Sequence, residues 1–109
     1  MRFLFVFFLT FNSLFANDYK ILSFDNHPIH GTLINSSELS PFLAIIIAGS
    51  GPTDRDGNNS SMKSNYLKML AEELNKNGIS SFRYDKRGVS KSLGDIKSPN
   101  EIQFLDYVN

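Results

Sequence analysis

The stretch AGSGPTDRDGN, residues 48–58, follows the apolar run FLAIIIA at once and packs glycines, a proline and charged side chains into a single turn. Gly49 and Gly51 let backbone amides turn outward at the carboxyl end of a strand, where they can donate to an oxygen that becomes negative during acyl transfer. A plain glycine turn after a parallel strand is the alternative. Other chemistries fit less well. A dinucleotide fingerprint needs G-x-G-x-x-G, and Asp54 stands where the third glycine belongs. A phosphate loop needs Gly-Lys-Ser or Gly-Lys-Thr, and none follows. Asp54, Asp56 and Asn58 put oxygen donors at alternate positions, as calcium loops do. Gly57 and Asn65, however, miss the glycine and glutamate places of such a loop, and a solvated turn is the plainer account.

A second stretch, FRYDKRGVSKS (residues 82–92), carries Asp85, Arg87 and Gly88. Asp85 and Arg87 are either braces for neighbouring loops or a surface ion pair of small energetic weight. Ser90 has Gly88 two places before it and Ser92 two after, an imitation of the G-x-S-x-G elbow, with no histidine downstream to act as base. His27 and His30 are the only histidines and fall early in the chain, where exposed polar surface is expected of them. A metal role would need a third ligand, and Asp25 nearby is weak support for one.

The elements that must position these residues can be read from pattern. Tyr19–Phe24 and Ile29–Asn35 are β-prone runs around the turn-forming DNHP, which predicts a hairpin. Phe42–Ala48 is apolar throughout, which suits a strand covered on both faces in a parallel sheet. Leu67, Leu70, Ala71 and Leu74 form one helical stripe, and Asn77 and Gly78 supply its stop. Ile79–Asp85 is another strand. Ser98, Pro99 and Glu101 then mark the start of a second helix. Strand, helix and strand in this order normally make a crossover between parallel strands, so the fold class is α/β.

Composition narrows the remaining possibilities. The chain of 109 residues has no cysteine, and its eleven basic residues balance eleven acidic ones. This argues against a disulfide scaffold, a cysteine metal site and a field-driven nucleic-acid binder. Residues 1–16, MRFLFVFFLTFNSLFA, have a basic start, a short apolar core and a small residue at Ala16. That layout predicts a secretory signal and export to the periplasm or beyond, with residues 17–109 as the mature domain and no membrane anchor once the signal is cut. The apolar run is too short for a spanning helix.

Taken together, AGSGPTDRDGN and YDKRG resemble the α/β-hydrolase superfamily, in particular exported bacterial hydrolases related to serine aminopeptidases and acyl esterases. The resemblance covers residues 17–109. It implies a hairpin, a third strand ending in an oxyanion loop, a helix, and a fourth strand ending in the Asp-x-Arg-Gly turn. By position, Ser50 would give its amide to the oxyanion, with Gly49 and Gly51 permitting the turn, and Asp85, Arg87 and Gly88 would brace the loops. It further implies a small acyl or peptide substrate in the complete protein, with no cofactor and no metal. Ala48 and Ser90 depart from the usual histidine and glycine at their places. No G-x-S-x-G occurs. The expectation is therefore an amino-terminal part of the hydrolase fold, inactive alone, with one flank of FLAIIIA lacking its neighbouring strand and open to self-association. A small periplasmic interaction module on the same scaffold is the alternative.

Overall fold

Turn residues close the first hairpin. Asn26 takes a left-handed conformation (φ 62°), its amide bonds to Ser23 O at 2.9 Å, and the Ser23 amide bonds to His27 O at 3.0 Å. The computed structural model describes residues 16–36 and 40–107. Apart from Ala16, the predicted export signal lies outside them. Strands β1 (Ala16–Leu22) and β2 (Pro28–Ile34) flank the turn and run antiparallel, Tyr19 opposite Gly31. β3 (Leu43–Ile46), helix α1 (Tyr66–Lys76) and β4 (Ser80–Tyr84) follow. β4 pairs antiparallel with β2 and parallel with β3, giving a mixed sheet in the order β1-β2-β4-β3.

The predicted strands and the first helix are therefore present and the α/β class holds. Helix α1 lies on one face of the sheet, where Leu67 and Ala71, with Leu74 beside them, pack on Ile34, Ile46 and Ala48. Leu70, counted in the buried stripe, is 48% exposed at its edge. The helix begins without a side-chain cap at Asn65. Instead, the carbonyl of Asp56 accepts from Leu67 and Lys68 at 3.2 and 3.4 Å, so the loop after β3 itself closes the helix start. At the other end the Ile79 amide reaches Leu74 O at 2.9 Å and Gly78 reaches Asn75 O at 3.0 Å, the paired bonds of a Schellman stop.

Two expectations need correction. FLAIIIA is covered on one face only: Ile46 and Ala48 are buried under α1, whereas Ile45 and Ile47 on the opposite face are each 63% exposed. The second helix that was to follow Ser98 is instead two short 3₁₀ turns, Pro99–Glu101 and Phe104–Tyr107, so no long helix lies over that face among the described residues. On the same open face Phe82 stacks with Tyr84, their ring centres 6.3 Å apart. The Phe82 ring also covers Gly31, where an added Cβ would lie 2.3 Å from ring carbon. The hairpin can approach β4 closely there because residue 31 has no side chain.

Candidate active site

Parallel pairing of β3 and β4 brings their trailing loops out side by side. The first loop turns at Gly51, whose φ of 83° suits a residue without a Cβ. Lys86, at the end of β4, donates from Nζ to the carbonyls of Gly49 and Gly51, the latter at 2.9 Å. Among the described residues, the amides of Gly49, Ser50 and Gly51 donate to no backbone carbonyl. The turn and Lys86 line one side of an open cleft of about 390 Å³, with Ala48, Pro52, Val89 and Ile102 as its apolar part. Burial lowers the affinity of Lys86 for its proton relative to a free lysine.

Beyond the glycines, the same loop is tied down by its own charges. Asp54 Oδ1 accepts from the amides of Asp56 and Asn58, both at 2.9 Å. Asp56 in turn receives Arg83 Nε at 2.9 Å. These carboxylates, weighed above as calcium donors, thus have protein partners. Arg55 enters the interior, where its amide donates to Asp85 Oδ1 at 2.7 Å and its Nε lies 3.7 Å from Asp85 Oδ2. Asp85 is 1% exposed. Burial pushes its carboxyl above the usual range, and the Arg55 amide and guanidinium oppose that push.

Asp85 and Arg87 each take a different charged partner. Both lie just past the end of β4, with Lys86 between them: Asp85 faces Arg55, while Arg87 takes Asp25 in a two-pronged contact at 2.9 and 2.8 Å and Ser23 Oγ at 3.1 Å. Both residues are buried, which rules out the surface ion pair. The Arg87 and Ser23 hydrogen bonds hold the Asp25 carboxyl far below the usual carboxylate range. The histidines are also corrected. His27 Nε2 contacts Ser92 O at 2.7 Å, and the backbone of His30 takes up Ser92 Oγ (2.9 Å) and the Asp85 amide (2.9 Å), so both dock the second loop onto the hairpin. No hydrogen bond joins Ser90 to a histidine or a carboxylate among the described residues. Its φ of 48° lies in the region glycine favours, a physical reason for glycine to be usual there.

Sequence reasoning did not single out Arg55 or Lys86, and it weighed Asp25 and Ser92 only in other roles, as a metal ligand and as the small residue after Ser90. Only Arg55 and Lys86 carried a usable signal: each is a long cation at a strand-end turn, next to a residue already under suspicion.

No protein-family model matches the chain, and no curated protein matches it. Among solved structures, the crystal structure of the alpha/beta hydrolase GrgF from Penicillium sp. sh18 superposes with a TM-score of 0.59 at 23% identity, over 76% of this chain. The fold is that of part of an α/β hydrolase. The chain spans 25% of the length of that protein, so the similarity concerns the scaffold that carries the two loops.

Proposed function

We propose that this chain supplies the oxyanion turn and its bracing loops to a serine-type hydrolase acting on esters, thioesters or short amides, and that it is exported. The observation that carries the reading is the turn itself. Gly49 and Gly51 present their carbonyls to Lys86, and the Ser50 amide between them donates to no backbone carbonyl among the described residues. A backbone donor of this kind contributes about 10²–10³ in kcat when aimed at a developing oxyanion. The hydrolase scaffold around it and the buried Arg55–Asp85 brace support the same reading.

The nucleophile, acid and base of the reaction come from residues outside these 109. Among the described residues Ser90 hydrogen-bonds to no histidine or carboxylate, so the chain alone is expected not to hydrolyse substrate. A fluorophosphonate probe applied to the purified chain is expected to leave it unlabelled. Labelling at Ser90 would overturn the assignment. The coding sequence beyond codon 109 is expected to encode G-x-S-x-G in some frame, about 40–60 codons on; without it the enzymatic reading fails. The exposed β3 face favours one other role, an interaction module on the same scaffold, for which the edge variants discussed below are the test.

A further inference from the structure

We infer that Lys86 is a positioning residue: its ammonium group sets the plane of the Gly49–Ser50 peptide and so aims the Ser50 amide. The base of this side chain is fixed. The amide of Asp85 is bonded to His30 O at 2.9 Å, and the carbonyl of Lys86 receives the Val89 amide at 3.0 Å. From there Nζ reaches the carbonyls of Gly49 and Gly51 on either side of Ser50.

Peptide geometry gives these two contacts different meanings. The carbonyl of Gly49 and the amide of Ser50 belong to one peptide group. In a trans peptide their bonds point opposite ways, so drawing the oxygen toward Lys86 turns the Ser50 N–H away from it. A cation on that oxygen also draws charge through the peptide bond, which leaves the N–H a stronger donor. The carbonyl of Gly51 shares its peptide with Pro52, which has no N–H. Holding that oxygen stiffens the turn without redirecting any donor. Lys86 therefore clamps both sides of Ser50 and orients one amide. Its catalytic meaning rests on the oxyanion reading of the turn, whereas the clamp itself does not.

The test is nuclear magnetic resonance on the full chain labelled with ¹⁵N and ¹³C. Wild-type Lys86 ¹⁵Nζ is expected to show couplings across the hydrogen bonds to the carbonyl carbons of Gly49 and Gly51. K86M, which keeps length and removes the donors, is expected to shift the Ser50 amide resonances more than any amide outside residues 48–53. K86R, whose planar fork can span two acceptors, is expected to restore them. A K86M spectrum with Ser50 unmoved, or a wild-type Lys86 ammonium without those couplings, would overturn the clamp. Should K86M not fold, the wild-type couplings alone decide. Fluorophosphonate labelling bears on the hydrolase reading and not on the clamp, so each can fail without the other.

Discussion

Replacing Arg55 by methionine removes the guanidinium that faces buried Asp85 and keeps the backbone amide that also bonds it. Two unit charges 3.7 Å apart attract by about 4–5 kcal/mol at an effective dielectric of about 20. Part of this is not lost, because Asp85 can take up a proton once its partner is gone. The net destabilisation of R55M at neutral pH is therefore about 2–3 kcal/mol, below the usual cost of a broken buried pair. The sign of the pH dependence follows from the carboxyl. Its native pKa is already above the ordinary 3.8, and loss of Arg55 raises it further. Stability tied to the protonated form is complete below that ordinary value and is lost as pH rises through the raised one. R55M should then be close to wild type near pH 4 and weaker near pH 7, where the buried carboxylate stands unpaired. Urea midpoints at the two pH values measure this, and with a slope of about 1–2 kcal/mol per molar the neutral-pH deficit is roughly 1–3 M. If R55M is unfolded without urea, the midpoint of osmolyte-driven folding serves instead. An equal deficit at both pH values would refute the argument, since packing alone would then account for it.

Asp25 gives the opposite limb. Its lowered carboxyl contributes stability above the ordinary value of 3.8 that is lost as pH falls toward the lowered one, so D25N should flatten the acid side of the pH–stability curve, read from thermal midpoints. Parallel acid limbs for wild type and D25N would count against the Arg87 bond as its source. On the open sheet face, I45K and I47K put charge on a strand edge without entering the core. Each should raise the concentration of soluble monomer about tenfold by sedimentation, a change of about 1.4 kcal/mol and less than full burial of an isoleucine is worth. No change in self-association would remove the edge as an interaction surface.

The succession of strands and first helix along the chain and the place of both loops were legible because each depends on local pattern: a hairpin turn, an apolar run, a helical stripe with its stop. Burial of Phe42–Ala48 was not. A continuous apolar run permits a cover on both faces, but whether one is present depends on another part of the chain, and helix α1 covers only the face of Ile46 and Ala48. Similarly, the types of Asp85 and Arg87 announced charge pairing, and their nearness in sequence suggested each other as partner. Tertiary pairing overrode it, because the hairpin brings Asp25 to Arg87 and the loop after β3 brings Arg55 to Asp85. Sequence marks that a buried charge must be matched; it does not say from which strand the match arrives.

The parallel ladder that sets Leu43 against Ser80 and Ile46 against Arg83 works as a vernier for the two loops above it. A slip of one residue would carry Gly49 about 3.3 Å along the strand and invert which side chains meet the helix. Substitutions low on β3, far from any chemistry, would in this way detune the bend at its top by sliding it rather than by touching it.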